Sequence, residues 1–131
     1  MSAKARRLVR RRAGFRCEYC HIREQDLPEA FHLEHVIAKK HSGADHITNL
    51  AWSCHRCNLG KGANLAGRVG GAIVALFHPR RQNWRRHFKW VGPILKGKTK
   101  CGRATVRVLN INEDNRVRLR ILLMAAGVAF D

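Results

Sequence analysis

The chain has 131 residues, which is enough for one small domain or for a small domain with an extension. Its 26 lysines and arginines face only nine acidic residues, and the formal net charge of +17 favours a polyanion such as nucleic acid as the partner. The sequence contains no run of about 18 apolar residues, and its basic N-terminus lacks the apolar stretch of a signal peptide. We therefore expect no membrane span and no secretion, but a cytoplasmic protein.

The first half of the chain predicts a helix, two strands and a second helix, in that order. Good helix formers fill residues 3–13 (AKARRLVRRRA), and Gly14 suits the position after a helix end. Apolar side chains with a rough alternation predict a strand over residues 31–38 (FHLEHVIA), and a shorter strand is expected over residues 50–54 (LAWSC). A helix is expected to follow over residues 55–64.

The second half begins with a glycine-rich joint at residues 67–71. Residues 72–77 (AIVALF) favour a strand, because branched and aromatic side chains pack well in sheets. Residues 87–95 (HFKWVGPIL) predict a hairpin around a Gly-Pro pair, and residues 99–110 (TKCGRATVRVLN) predict a helix.

A last helix is expected from Arg116 to Ala126, with Asn112 or Asp114 as its N-terminal cap. Its apolar stripe and its arginines alternate along the helix. The residues expected in the buried stripe are Val117, Ile121 and Met124, and those expected on a solvated face are Arg116, Arg118 and Arg120.

Four of the five cysteines form two Cys-x-x-Cys pairs, Cys17 with Cys20 and Cys54 with Cys57. A two-residue gap lets both thiolates of a pair bind one ion, and two such pairs complete the tetrahedral coordination of a structural zinc ion. In a chain without a secretory signal, this reading is favoured over disulfides. Cys101 has no partner in this pattern and is expected to be a spare thiol.

The residues between the two cysteine pairs carry a second pattern. An acid-histidine pair, Glu34-His35, precedes a loop that contains Ser42-Gly43. Asn49-Leu50 comes next, followed by CHRCN at residues 54–58 and by Lys61. In this order and spacing the residues resemble the motif of the HNH nucleases, a family with a ββα-metal fold.

This resemblance implies metal-dependent hydrolysis of phosphodiester bonds, with a role for each residue type. Glu34 and Asn58 would bind one divalent ion, Mg²⁺ or Mn²⁺, and the zinc site would hold strand and helix so that they face each other. His35 would be the general base that takes a proton from the attacking water. Asn49 would tie the loop across the hairpin and hold His35 in place, and Lys61 would neutralise phosphate charge.

The chain departs from the family pattern in three places. Many members carry Asp at the position of Glu34, and a proline often stands where this chain has Ala38. The glycine pair of the loop is reduced to Ser42-Gly43. Along a regular strand, His32 lies on the same face as Glu34, so it is either a further metal ligand or a histidine that orders the site or contacts substrate.

The basic second half resembles the C-terminal region of small stand-alone bacterial HNH proteins. The resemblance rests on residues 76–90 (LFHPRRQNWRRHFKW) and 102–112 (GRATVRVLNIN). The arginines expected to contact phosphates are Arg80, Arg81 and Arg103. The aromatic residues expected in the core are Phe77, Trp84 and Phe88, and stacking on exposed bases is the alternative for Trp84, Phe88 and Trp90.

The predicted fold is α+β, with a zinc-stabilised ββα-metal core over residues 1–66 and a basic extension of a hairpin and helices over residues 67–131, packed as one unit. The predicted function is a bacterial or phage-encoded endonuclease that nicks or cuts duplex DNA and needs no small-molecule organic cofactor. The alternatives are a non-catalytic zinc-containing nucleic-acid-binding protein, an RNase of the same fold and a ribosomal-type zinc ribbon. The oligomeric state is left open.

Overall fold

Three antiparallel hairpins and five α-helices build the chain in the computed structural model, which describes residues 2–131. The helices are α1 (Ala3–Arg12), α2 (His55–Lys61), α3 (Trp84–His87), α4 (Lys100–Val108) and α5 (Asp114–Ala125). The strands are β1 (His32–His35), β2 (Leu50–Ser53), β3 (Ala66–Val69), β4 (Ala72–Ala75), β5 (Phe88–Val91) and β6 (Ile94–Gly97). Helices and separate antiparallel hairpins confirm the predicted α+β class.

The β1–β2 hairpin and α2 form a continuous ββα unit. Strand β1 pairs with β2 so that Glu34 lies opposite Ala51 and His35 opposite Leu50. Cys54 then caps α2, because its Sγ accepts a hydrogen bond from the Cys57 amide at 3.4 Å. The first strand is shorter than predicted, since the chain leaves the ladder after His35 to form the long hairpin loop.

Helix α1 has the position predicted for it and packs against the hairpin. Ser2 caps it by accepting a hydrogen bond from the Ala5 amide, and Gly14 follows it at φ +66°, a conformation that glycine adopts without strain. Val9 is the fully buried apolar residue of this helix. The Arg12 guanidinium donates to the Leu50 carbonyl at 2.7 Å and so joins the helix to the start of β2.

Two hairpins and α4 form the first part of the extension. The run predicted as a strand is β4, and its partner β3 was not predicted, because the glycines read as a joint are the turn of a hairpin. The β5–β6 hairpin has the predicted position, with Gly92 at φ +55° in its turn. Gly97 allows α4 to approach β6 closely, since an added Cβ atom would overlap the Arg103 main chain.

Helix α5 buries two of the three arginines that were predicted on a solvated face, so the prediction is wrong for Arg116 and Arg120, while Arg118 is exposed as predicted. Arg116 and Arg120 are only 9% and 2% exposed, whereas Ile121 is 50% exposed. The arginines tolerate burial because their guanidinium groups find carbonyl partners, such as the Leu109 carbonyl at 2.8 Å from Arg116. The cap is also neither predicted residue: the Glu113 side chain accepts from the Asn115 amide.

Both halves of the chain contribute to one hydrophobic core. Phe77 and Phe88, predicted as core residues, are each 2% exposed and pack edge to face, and Trp84 is half-buried against them. The Trp84 indole donates to the Tyr19 carbonyl at 2.9 Å, which links the extension to the first cysteine turn. The division at residue 66 stays a prediction, and β3 begins there. Among residues 2–131, no helix is both long and apolar enough to cross a membrane.

Candidate active site and metal centre

The four predicted metal-binding cysteines lie together beneath the ββα unit. All four are buried and free of disulfides, and their Sγ atoms lie within 4.8 Å of one another. The Sγ atoms of Cys20 and Cys54 are 3.8 Å apart. Zinc–sulfur bonds of about 2.3 Å in a tetrahedron place sulfurs about 3.8 Å apart, so the cluster fits a structural zinc ion.

The electrostatics of the cluster favour deprotonation of one thiol over its neighbours. Hydrogen bonds from Cys17, Cys54 and Cys57 lower the pKa of Cys20 well below its usual value, while burial raises the pKa of Cys17 and Cys57. Zinc binds thiolates, so it would displace the protons that burial retains on the other sulfurs.

Two buried arginines of α5 lie against this cluster. Arg116 donates a hydrogen bond to Cys57 Sγ at 2.9 Å, and Arg120 lines the same small cavity as Cys20 and Cys54. Neither arginine has a carboxylate partner within residues 2–131. Four thiolates around Zn²⁺ carry a net charge of −2, so two guanidinium charges match a loaded centre.

Replacing Arg116 by alanine is therefore expected to weaken zinc binding by about 10- to 100-fold, the usual effect of losing a group that bonds to a metal ligand. Arg118→Ala is the matched control, because Arg118 is exposed on the same helix. Competition with a chromophoric chelator measures both affinities. Equal zinc affinity in the two variants would show that Arg116 does not stabilise the centre.

Glu34 is buried, with one carboxylate oxygen that lacks a partner. The Tyr19 hydroxyl donates to Oε1, and Lys61 Nζ lies 3.6 Å from the same oxygen. Oε2 is buried and makes no hydrogen bond. Burial raises the pKa of Glu34, against the opposing effects of Lys61 and Tyr19. An unpaired buried carboxylate oxygen is the kind of group that a hard divalent cation takes as a ligand.

Asn58 lies on the helix that faces Glu34. It precedes Lys61 by three residues on α2, so both side chains share the face whose Lys61 ammonium reaches Glu34. The Asn58 side chain makes no hydrogen bond to another residue in the described part of the chain, and its amide oxygen is available to a cation. The roles of Glu34 and Asn58 as a pair of oxygen ligands stay a prediction.

His35 lies at the end of β1 and is held by a residue that sequence reasoning missed. Its Nε2 atom is 2.7 Å from Oδ1 of Asp45 in the hairpin loop, and the His35 side chain keeps 18% exposure. His35 and then Lys39 lower the pKa of Asp45, so that carboxyl is ionised. A carboxylate acceptor places the imidazole proton on Nε2 and leaves Nδ1 free to accept one. Asp45 is the one acid in the loop, which is the signal that could have identified it.

Asn49 makes the hydrogen bonds across the hairpin loop that the sequence predicts. Its Oδ1 accepts from the Ile37 amide at 2.9 Å. Its Nδ2 donates to the carbonyls of Ile37 and Ala44 at 3.0 and 2.9 Å. These three bonds fix both ends of the loop that carries Asp45, and through it they constrain the partner of His35.

Lys61 and His32 have different surroundings from those expected of a phosphate contact and of a metal ligand. Lys61 is 1% exposed, and its ammonium donates to the Val36 carbonyl at 2.8 Å, so it faces the main chain of the loop. His32 Nε2 lies 3.1 Å from His55 Nδ1, with the two rings stacked. The sequence-based roles of both residues stay predictions.

Comparison with known proteins identifies the unit that holds these residues. Residues 17–64 match the family model described as HNH endonuclease. The chain carries an HNH endonuclease domain. Septu protein PtuB of Bacillus thuringiensis is 29% identical over 104 residues, which are 78% of this chain and 38% of that protein. The chain thus spans well under half of that relative's length. No solved structure matches the chain significantly.

The family match supports nuclease activity in general, and the HNH domain contains the four clustered cysteines, Glu34, His35 and Asn58. The arginines predicted to contact phosphates lie outside it. Arg80 forms an ion pair with Glu18 and is half-buried, so it serves the fold in this structure. Arg81 and Arg103 are exposed, and their side chains make no hydrogen bond or ion pair within residues 2–131.

Proposed function

We propose that the protein is a metal-dependent DNA endonuclease that hydrolyses phosphodiester bonds with His35 as the general base. The observation that carries this proposal is the unpartnered Oε2 of Glu34, a buried residue that directly precedes His35 and lies against Lys61 of α2. A protein that only binds nucleic acid gains nothing from a buried carboxylate oxygen without a partner, since such a group costs stability.

The residues of the chain supply proton transfer and orientation. The free Nδ1 of His35 takes a proton from the attacking water, and the ionised Asp45 orients the imidazole and stabilises the imidazolium that forms. Asn49 keeps this loop in place. Glu34 and Asn58 would hold a Mg²⁺ or Mn²⁺ ion, which supplies Lewis-acid stabilisation of charge on the phosphate and leaving oxygen when bound.

The charge of the chain supports a nucleic acid as the substrate. The exposed arginines Arg81 and Arg103 offer contacts to phosphates, and the net charge of +17 attracts any nucleic acid at moderate salt. We propose DNA as the substrate, because the family resemblance favours it. A cytoplasmic, bacterial or phage-encoded setting stays part of the same proposal.

Supercoiled plasmid is expected to be converted to open-circle or linear DNA only when Mg²⁺ or Mn²⁺ is added to the zinc-loaded protein. The control is the same protein dialysed free of added divalent ions, which is expected to leave the plasmid supercoiled. Agarose gels separate the three forms of the plasmid. Exclusively nicked product would indicate a monomer that acts on one strand.

Two outcomes of the same assay would contradict the proposal. A plasmid that shifts in a native gel but is never cut would favour the non-catalytic binding protein. Cutting of a labelled RNA, with intact plasmid under the same conditions, would favour the RNase.

A further inference from the structure

A cleft of about 420 Å³ lies between the HNH domain and the extension. Val36 and Ile37, which directly follow His35, line one wall together with Lys61. Residues 75–78, 81 and 82 line the opposite wall. The volume lies within the range of about 300–1,000 Å³ that is usual for small-molecule sites.

His78 in this cleft carries a buried donor without a partner. It is 9% exposed, and its Nδ1 accepts the Arg80 amide hydrogen bond at 3.2 Å. The ring proton is therefore on Nε2, and this atom has no hydrogen-bond partner and no accessible surface. Burial and then Arg81 lower the pKa of His78, which keeps the imidazole neutral.

The loop around His78 is fixed by its own hydrogen bonds. The His78 amide donates to Gln82 Oε1 at 2.8 Å, and the amides of Arg81 and Gln82 donate to the His78 carbonyl at 3.1 and 3.0 Å. Arg81 lies within this hydrogen-bonded turn, and its exposed side chain lines the edge of the cleft. No acidic residue lines the cleft, so it offers donors and positive charge above an apolar floor.

We propose that this cleft binds one unstacked nucleotide of the substrate strand, next to the phosphate that is cut. The base lies against Ile37 and Ala75, which line the cleft and are not buried, and a side-chain shift that uncovers Nε2 of His78 lets this atom donate its hydrogen to an acceptor atom of the base. Arg81 holds the phosphate of the same nucleotide. An acceptor-rich anion with a flat apolar part is the ligand class that satisfies all three groups at once. The inference rests on the proposed nuclease function and adds a preference for nucleotides outside the stack.

Equilibrium binding in the His35→Ala background tests this inference, because nothing is cut. The probes are two fluorescently labelled DNA duplexes of equal length, one fully paired and one with a single unpaired nucleotide. The duplex with the unpaired nucleotide is expected to bind about tenfold more tightly, since stacking of one base supplies an effect of that order. Leu65→Trp, which fills the cleft from an exposed position, and Arg81→Ala are expected to abolish this preference.

Arg103→Ala is the matched control, because Arg103 is exposed on α4 and does not line this cleft. It is expected to weaken binding of both duplexes equally. Equal binding of the two duplexes by the His35→Ala protein, or a preference that persists when Leu65→Trp or Arg81→Ala is added to it, would contradict nucleotide binding in the cleft. If the unsubstituted protein cuts plasmid but the His35→Ala variant shows no preference, nucleotide binding in the cleft is refuted and the nuclease proposal stands. If the preference is found but the unsubstituted protein never cuts, the nuclease proposal is refuted.

Discussion

His35→Ala is expected to lower the rate of phosphodiester hydrolysis by about 10²–10⁴-fold, which is the usual contribution of a positioned general base. The variant keeps Glu34, Asn58 and the zinc site, so binding of DNA and of the divalent ion is expected to stay near that of the parent. The imidazole contacts Asp45 at the surface and contributes little to the core, so the thermal midpoint is expected to change by only a few degrees. Single-turnover cleavage of a labelled duplex at saturating Mg²⁺ measures the chemical step.

His41→Ala is the matched control, because His41 is an exposed histidine of the same hairpin loop. It is expected to cleave at the parent rate. Asp45→Asn is expected to fall between the two, since the ring loses its charged partner but keeps a hydrogen-bond acceptor. A His35→Ala variant that cleaves as fast as His41→Ala would remove His35 from the proposed mechanism.

Loss of the zinc site is expected to unfold the protein. Structural zinc contributes roughly 10–16 kcal/mol of apparent binding free energy at neutral pH, which is as large as the total stability of about 5–15 kcal/mol of a small domain. Cys54→Ser removes one of the four predicted zinc ligands, while the serine hydroxyl can still cap α2, so the expected loss is that of the metal that joins the helix, the hairpin and α5. Thermal unfolding followed by circular dichroism, together with zinc content by atomic emission, is the measurement.

Cys101→Ser is the control for removal of a thiol, because Cys101 lies on α4 outside the cluster. It is expected to keep one zinc per chain and a cooperative transition close to that of the parent. A Cys54→Ser protein with an unchanged transition and one tightly bound zinc would refute the four-thiolate centre. Acid is expected to release zinc from the parent, since the ligands must be deprotonated to bind.

Residue type and spacing within a short segment were sufficient to predict several features of the fold and of the candidate site. The Cys-x-x-Cys pairs, the Glu34-His35 pair and Asn49 have fixed spacings, and the structure brings the cysteines together and gives Asn49 its predicted loop bonds. Gly92 marked its hairpin turn in the same way. The β3–β4 hairpin was missed because its two glycines are compatible with either a joint or a turn, and only pairing across the strands distinguishes them.

The sequence by itself was enough to predict the HNH domain, the cluster of four cysteines and the candidate catalytic residues, because these depend on residue type and spacing along one ββα unit. Only the tertiary structure decided which lysine and arginine side chains are buried and which are exposed. Arg116 is buried against Cys57, and Lys61 lies under the loop that follows His35. Arg80 is paired with Glu18, while Arg81 next to it is free. A long cationic side chain follows whichever acceptor the fold places within its reach, and that acceptor lies tens of residues away in the chain.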